Sequence, residues 1–282
     1  MIDYPQWYWI PQVKFQIRKY TYRRETAFIA INQANTAISK YSKTTRMIKI
    51  HNVQHLDLWL KNMHISDSKK NFNLYYSVAR YRQGIPNGSL NLADRDFGDW
   101  KDNYWKEMDS YDFFLDIDAG NHKEMGFAHH SAKLIMELFD KFNVPYHLRF
   151  SGMGFHFIIP YLYFSTHHFG DILSFNPDKE NNIYRFFMKI AQELYDNYSE
   201  MIDTGIYDSR RVVKIPYSIA LFPHKNYVCF PFISKDEFDN FNLDYAMPYN
   251  YMQNLPDEPE HLFNPNGNVF KLLKEFKLMK DG

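Results

Sequence analysis

The segment "FFLDIDAG", residues 113–120, places two carboxylates one residue apart inside an otherwise apolar run. Its apolar residues are aromatic or branched and the run ends at Ala-Gly, so the pattern predicts a β-strand. Because side chains alternate along a strand, Asp116 and Asp118 share one face. Residues two apart on a strand are separated by roughly 6 to 7 Å, so both carboxylates can reach one cation or a close pair of cations. A strand end whose acids face water has the same pattern, so the rest of the chain has to decide.

The composition is that of a globular protein. The chain has 282 residues, 45% hydrophobic and 18% aromatic, which suffices for one large domain or two small modules. Lys plus Arg equals Asp plus Glu at 33 each, so no global positive field recruits nucleic acid, and local patches would have to hold such a partner. The single Cys229 excludes an internal disulfide framework and a multi-cysteine zinc knuckle.

The chain shows no targeting pattern. The N-terminal residues "MIDYPQWYWIPQ" lack the basic region and apolar stretch of a signal peptide. The longest apolar stretch, "FHFIIPYLYF" at 155–164, is too short to span a bilayer. Together with the single cysteine, which fits a reducing compartment, these features predict a cytoplasmic protein.

The order of elements after residue 110 favours one supersecondary unit. Periodicity predicts strands and helices, in chain order, at 113–118 (strand), 129–143 (helix), 146–152 (strand), 154–160 (strand), 182–198 (helix) and 210–219 (strand). This β-α-β-β-α-β order is that of a ferredoxin-like or RNA-recognition-type unit. The first and third strands of such a unit are central neighbours. Asp116 and Asp118 are therefore predicted to lie beside "GMGFHF", residues 152–157.

A glycine turn joins the second and third predicted strands, in "RFSGMGFHF" at 149–157. Gly152 and Gly154 can take positive φ and turn backbone N–H groups toward an anion. His156 can donate to a phosphate or act as a proton source, and Ser151 adds a hydroxyl. An ordinary hairpin with a half-exposed histidine is the simpler alternative.

The third segment, "MIDTGIYDSRRVVKIPYSI" at 201–219, supplies acids and then bases. Either Asp203 or Asp208 could be a third metal ligand. Arg211 and Lys214 could face a triphosphate or a nucleic-acid backbone. The alternative for Asp208 is a surface ion pair with the arginines that follow it.

These three motifs, in this order, resemble the archaeo-eukaryotic primase superfamily of primase-polymerases over roughly residues 75–225. The third motif ends in Pro216 and Ser218, a Pro-x-Ser that the family also carries. The resemblance implies a metal site made of Asp116, Asp118 and Asp203, with Asp208 as the alternative to Asp203. It also implies a triphosphate site whose residues are Ser151, Gly152, Gly154, His156, Arg211 and Lys214.

The sequence departs from the family pattern at two places, and these departures indicate which members of the family it resembles. Replicative members usually carry a His after Pro-x-Ser, whereas this chain has Ala220 there and His224 four residues further on. The insert "NHKEMGFAHH" at 121–130 has no cysteine, and its three histidines lack a fourth ligand, so no structural zinc is predicted. These departures point to the smaller primase-polymerases, including mobile-element and CRISPR-associated members.

The implied fold is α+β, with an archaeo-eukaryotic primase core. Residues 1–105 would form an N-terminal α/β module with template-binding elements. Residues 106–235 would form the ferredoxin-like catalytic module, and residues 236–282 a C-terminal extension or linker helix. All three parts are expected to belong to one structural domain.

The implied activity is template-directed nucleotidyl transfer with two Mg²⁺ or Mn²⁺ ions, which synthesises primers or extends DNA. The implied partners are a single-stranded DNA template, a primer strand, nucleoside triphosphates and an additional replication or CRISPR-associated domain or subunit. Basic residues interleaved with tyrosines in 14–24 suit a single strand, and "KYSKTTRMIK" at 40–49 adds further basic residues. The residues predicted to contact nucleic acid are Arg18, Lys19, Arg23, Arg24, Arg80 and Arg82.

Three other functions remain open from the sequence. A non-catalytic RNA-recognition-like module would bind single-stranded nucleic acid, but such modules carry aromatics on the strands where this chain has acids. Another two-metal nucleotidyltransferase, such as a cyclase, would not depend on a template. A metal-dependent nuclease would degrade nucleic acid without nucleoside triphosphates.

Overall fold

The computed structural model of the chain describes residues 4–31, 57, 71–82, 104–164, 173–208, 211–221, 226–253, 255 and 260–279. The helices in these ranges are α1 (Tyr4–Trp9), α2 (Pro11–Tyr20), α3 (Met125–Lys141), α4 (Ile183–Asn197), α5 (Lys235–Asp239), α6 (Pro248–Met252) and α7 (Phe270–Glu275). The strands are β1 (Thr26–Ile31), β2 (Asn71–Ser77), β3 (Ala79–Tyr81), β4 (Met108–Tyr111), β5 (Phe113–Asp118), β6 (His147–Phe150), β7 (Gly154–Ile159), β8 (Val212–Lys214), β9 (Ile219–Leu221), β10 (Asn226–Val228) and β11 (Phe230–Pro231). None of these helices has the length and apolar character needed to cross a membrane.

The main sheet has four antiparallel strands in the order β11-β6-β7-β5. Directly opposite residues share a face, so each row of the register belongs to one side of the sheet. The apolar rows between β5 and β7 are Phe113 with Ile159, Leu115 with Phe157, and Ile117 with Phe155. The other face carries Asp116 opposite His156 and Asp118 opposite Gly154. The predicted strand and its neighbour are thereby confirmed.

Two amphipathic helices cover the apolar face. The Phe139 ring of α3 meets Phe157 edge-on at 5.5 Å, and the Phe187 ring of α4 meets Phe113 at 5.2 Å. The Asn182 side chain caps α4 by accepting a hydrogen bond from the Arg185 N–H. Both helices were predicted, although α3 begins at Met125 rather than at residue 129.

The predicted fourth strand does not join this sheet. Of residues 210–219, Val212–Lys214 forms a strand (β8), and it pairs with β2 in a second antiparallel sheet of order β1-β2-β8. The free edge of β5 is occupied by a shorter segment, because Ile202 forms a bridge with Ile117. The α+β class is confirmed, with two further two-stranded sheets, β3-β4 and β9-β10. The position of the fourth strand was predicted wrongly.

A buried ion pair ties the N-terminal strands to the main sheet. The Arg24 side chain, 4% exposed, donates to the carbonyls of Ser77 and Val78 and pairs with the carboxylate of Asp112, just before β5. Burial raises the pKa of Asp112, but the positive charges of Arg24 and Arg80 outweigh burial and hold that pKa below its ordinary value. Asp112 is therefore charged in the folded protein at neutral pH.

We expect Asp112→Asn to lower the free energy of unfolding by about 3 to 5 kcal/mol, because it leaves a buried guanidinium without its countercharge. A carboxyl with a depressed folded pKa stabilises the fold above its unfolded pKa of about 3.9 and loses that contribution as pH falls through the folded value. The variant should therefore also lose stability less steeply as pH falls below about 4. Urea unfolding at several pH values measures both effects.

The matched control is Asp109→Asn, which removes the partner of Arg23 in an ion pair whose side chains are 31% and 40% exposed. We expect this change to cost less than about 1 kcal/mol, since exposed pairs contribute little. Equal losses in the two variants would contradict the structural role given to the buried pair.

Candidate active site

Three carboxylates lie on neighbouring backbone at the edge of β5. The Asp203 N–H donates to the Asp116 carbonyl at 2.9 Å, and the Asp118 N–H donates to the Met201 carbonyl at 3.1 Å. Together with the antiparallel bridge between Ile117 and Ile202, these bonds set Asp203 opposite Asp116. Asp203 therefore lies on the same face as Asp118. The three predicted metal ligands are therefore neighbours, although they come from segments far apart in sequence.

The side chains of these acids differ in their surroundings. The Asp118 Oδ1 accepts a hydrogen bond from the Gly120 N–H at 3.0 Å, and the Asp203 Oδ1 accepts one from the Gly205 N–H at 2.8 Å. Asp116 is half-buried, and its Oδ1 lies 3.4 Å from the Nε2 of His156. Among the described residues, no three acidic, histidine or cysteine side chains already converge as a metal cluster. A cation held by all three acids would therefore require side-chain movement.

Tyr207 fixes the segment that carries Asp203 and was not identified from the sequence. Its hydroxyl donates to the Phe114 carbonyl at 2.8 Å, and its ring stacks on Phe113. Burial, and then the negative charges of Asp116 and Asp203, raise the pKa of Tyr207 well above its ordinary value. The phenol therefore stays neutral beside the carboxylates.

The glycine turn lies beside the same acids, but its two glycines are needed for different reasons. Gly152 has φ of 102°, as predicted. Gly154 is instead required by close packing, because a Cβ there would lie 1.9 Å from the Ile117 carbonyl oxygen. The Ser151 N–H donates to the Gly154 carbonyl at 2.9 Å, which closes the turn.

His156 is not the half-exposed histidine of an ordinary hairpin. It is 5% exposed, and its ring packs edge-on against Phe114 at 4.6 Å. The cost of burying a polar ring is reduced by its contact with the carboxylate of Asp116. The His156 ring is thus held in place on the polar face of the sheet, beside Asp116.

Strand β8 of the second sheet and the residue before it add two basic residues to the lining of the cleft that holds the acids. Lys214 lies opposite Tyr75 of β2. The Arg211 Nε donates to the Ile206 carbonyl at 2.6 Å, and its guanidinium lies 3.5 Å from the Asp208 carboxylate. Asp208 is thus the partner of Arg211, whereas Asp203 lies opposite Asp116.

One cleft collects most of the predicted residues. Its polar lining consists of Asp116, Asp118, Ser151, His156, Arg211 and Lys214. The rest of its lining is Tyr75, Phe114, Met153, Ile206, Val212 and Val213. Asp203, Asp208, Gly152 and Gly154 are outside this lining. Acids from one sheet therefore face bases from another across a single opening.

The residues predicted to bind nucleic acid separate into two groups. Arg23 and Arg24 are structural, since Arg23 donates to the Tyr81 carbonyl and pairs with Asp109, and Arg24 is buried. Arg24 is thereby removed from the exposed basic surface, whereas the Arg23 side chain stays 31% exposed in its ion pair. Lys19 and Arg80 line a second cavity, Arg82 is exposed just after β3, and Arg18 lies over the Tyr22 ring.

Some predictions fall elsewhere. Ala220 is buried in β9, at the place where the family that the sequence resembles usually carries a histidine. His129 contacts the Phe238 carbonyl through Nε2 at 2.8 Å. His224 and residues 40–49 lie outside the described residues, as does the His122 side chain.

The comparisons with known proteins include a distant likeness to a solved structure. No protein-family model matches the chain, and no curated protein matches it. A solved structure described as the polymerase domain from Mycobacterium tuberculosis ligase D in complex with DNA is similar over 99% of this chain and 89% of that one. The two are 13% identical, with a TM-score of 0.48. A likeness this low establishes neither family nor function.

We expect Gly154→Ala to lower the free energy of unfolding by about 1 to 3 kcal/mol, because the added methyl group overlaps the backbone of β5. Gly126→Ala is the matched control, since a Cβ at that position of α3 meets nothing within 4 Å. The control should leave stability unchanged or raise it by up to about 1 kcal/mol. Thermal unfolding followed by circular dichroism tests both, and a tolerated Gly154→Ala would contradict the close approach.

Proposed function

We propose that the chain is a DNA primase-polymerase, an enzyme that adds nucleotides to DNA under the direction of a single-stranded template. The observation that carries this proposal is the cleft in which Asp116 and Asp118 face Arg211 and Lys214. The carboxylates on one wall can bind metal ions, and the basic side chains on the other wall can bind a polyphosphate. A nucleoside triphosphate with its metal ions presents both charges together.

The acid wall fits hard divalent cations. Asp116, Asp118 and Asp203 would hold them through carboxylate oxygens, which Mg²⁺ and Mn²⁺ prefer. One oxygen of Asp118 and one of Asp203 is bound to a backbone N–H, so each carboxylate keeps a second oxygen for a ligand. Two bound cations would lower the pKa of a primer 3′-hydroxyl and neutralise charge on the departing pyrophosphate.

The remaining residues of the cleft would bind and orient the triphosphate. Arg211 can contact phosphate oxygens with its guanidinium, and Lys214 adds a point charge. The turn at Ser151 and Gly152 offers a hydroxyl and backbone N–H groups. His156, which lines the cleft with its Nε2 facing Asp116, would donate to a phosphate oxygen. In the reaction, the 3′-oxygen bonds to the α-phosphorus, the bond to the β-phosphate oxygen breaks, and the hydroxyl proton is released.

The fold that accompanies this proposal is the archaeo-eukaryotic primase core. Residues 106–235 would supply the acid wall as the catalytic module. Residues 1–105 would form the α/β module on which the basic strand β8 rests, and residues 236–282 an extension of the same domain. A partner domain or subunit from replication or CRISPR loci stays a prediction.

We expect the wild-type protein to extend a primed single-stranded DNA template with Mg²⁺ or Mn²⁺, and Asp116→Asn combined with Asp118→Asn to lower the rate by about a thousandfold. The same double variant should bind Mn²⁺ more weakly in water-proton relaxation measurements made without nucleotide. Asp239→Asn is the control, because its carboxylate pairs with the exposed Lys133 outside the cleft. An unprimed template, run in parallel, tests initiation.

Four results would overturn the proposal. Equal extension by the double variant would remove the acids from the chemistry. Degradation of DNA without nucleoside triphosphates would indicate a nuclease, and products without a template would indicate another nucleotidyltransferase such as a cyclase. Binding of single strands by an inactive wild-type protein would indicate an RNA-recognition-type module.

A further inference from the structure

Helix α2 and the turn after it expose aromatic rings where a surface helix usually carries polar residues. Phe15 is 52% exposed and Tyr22 is 60% exposed. Tyr22 lies in the turn just after α2 ends at Tyr20. Arg18, which lies on the same side of α2 as Phe15, is over the Tyr22 ring, so both rings lie on that side. The opposite side is buried through Val13, Gln16 and Ile17. The rings are therefore not needed to attach the helix.

Positive charges accompany these rings. The Lys19 ammonium lies 4.6 Å from the centre of the Phe15 ring, and the Arg18 guanidinium lies 5.4 Å from that of Tyr22. Residues 4–24 contain no Asp or Glu. A flat apolar surface with positive charge and no acid of its own is complementary to an anionic ligand that has flat faces.

The same face continues into a cavity with excess positive charge. Its basic residues are Lys19, Arg24, Arg80 and Arg149, its acids are Asp112 and Glu260, and its remaining lining is Tyr20, Tyr76, His147, Ile158 and Pro160. The two acids are already taken by buried ion pairs with Arg24 and Arg149. The four basic side chains thus outnumber the two acids by two, and Arg80 shares the negative charge of Asp112 with Arg24.

Two further features of the cavity favour an anion. The positive charge of Arg24, and then burial, lower the pKa of Arg80, so an added negative charge would relieve repulsion between the two guanidinium groups. The Tyr20 hydroxyl is buried and has no hydrogen-bond partner within the described part of the chain. A phosphate oxygen would satisfy a donor of this kind.

Helix α1 is held in a fixed position relative to the cleft, and α2 begins two residues after α1 ends at Trp9. The Trp7 indole N–H donates to the Tyr217 carbonyl at 2.8 Å, and the Ile219 N–H donates to the Tyr8 hydroxyl at 2.9 Å. The Tyr217 carbonyl and the Ile219 N–H both lie just after β8, and β8 ends at Lys214, which lines the cleft. A strand lying on α2 would therefore have a defined path relative to the acids.

We propose that Phe15, Arg18, Lys19 and Tyr22 form a platform that binds a single-stranded nucleic acid. The bases stack on the two rings, and the phosphates run past Lys19 into the cavity toward Arg80. This inference rests on the proposed function, since the bound strand would be the template.

The test compares two fluorescent single strands of equal length, an oligothymidylate and an abasic strand, by anisotropy with the full chain and without nucleotide. Phe15→Ala combined with Tyr22→Ala should weaken oligothymidylate binding about tenfold or more and leave abasic binding within about twofold. Phe127→Ala is the matched control, since Phe127 is 68% exposed on α3, which covers the apolar face of the main sheet. This control should bind both strands as the wild type does.

A second double variant tests the contribution of phosphate contacts separately from that of base stacking. Lys19→Gln combined with Arg80→Gln should weaken binding of both strands and make the slope of log K against log salt shallower by about 1.4, the value for two phosphate contacts on a single strand. Both residues are at the surface of the cavity, and circular dichroism checks that each variant is folded.

Three results would overturn the inference. The ring variant could bind oligothymidylate as the wild type does, it could lose both strands equally, or the wild type could bind anionic phospholipid vesicles more tightly than oligothymidylate. The proposed function fails separately, if the wild type binds oligothymidylate through the rings but incorporates no nucleotide. Incorporation by the wild type together with normal binding by the ring variant would reject the platform and keep the enzyme.

Discussion

Strand β5 lies beside β7 in a register that sets Asp116 opposite His156 and Asp118 opposite Gly154. The period of a strand is two, so a slip by one residue would turn these acids into the apolar layer under α3 and α4. The register is held by the apolar rows on one face and by the close approach of Gly154 to the Ile117 carbonyl on the other. The position of every other group in the cleft depends on this pairing.

The cleft itself exists because β8 leaves the main sheet. Had residues 210–219 paired with the edge of β5, their basic side chains would lie in the same layer as the acids. The edge is instead occupied near Ile202, and β8 extends the sheet of β1 and β2. The two sheets are joined by the buried pair of Arg24 and Asp112, whose loss would leave a charge without a partner inside the protein. The opposition of acid and basic walls is thus a product of packing between sheets.

Much of this arrangement could be predicted from the sequence because it depends on local periodicity. Alternating side chains in "FFLDID" predict a strand with its acids on one face. The helical spacing of apolar residues predicts α3 and α4, which cover the opposite face of the sheet. The glycine turn follows from residues that are close together along the chain. The basic residues and tyrosines interleaved in 14–24 also led to the prediction of a nucleic-acid surface, but the pattern did not show which of these residues are exposed.

What the sequence by itself determined is the strands β5, β6 and β7, the helices α3 and α4, and the face on which Asp116 and Asp118 lie. Only the tertiary structure decided that Asp203 rather than Asp208 lies opposite Asp116. It also decided that the Tyr207 hydroxyl binds the backbone of β5 and that Arg24 is buried. Each of these depends on contacts between residues far apart in sequence, and a strand of three residues such as β8 carries too little pattern to specify its partner. Side-chain period is a local property of the backbone, whereas the choice between two sheet edges depends on which packing buries more apolar surface and pairs more polar groups.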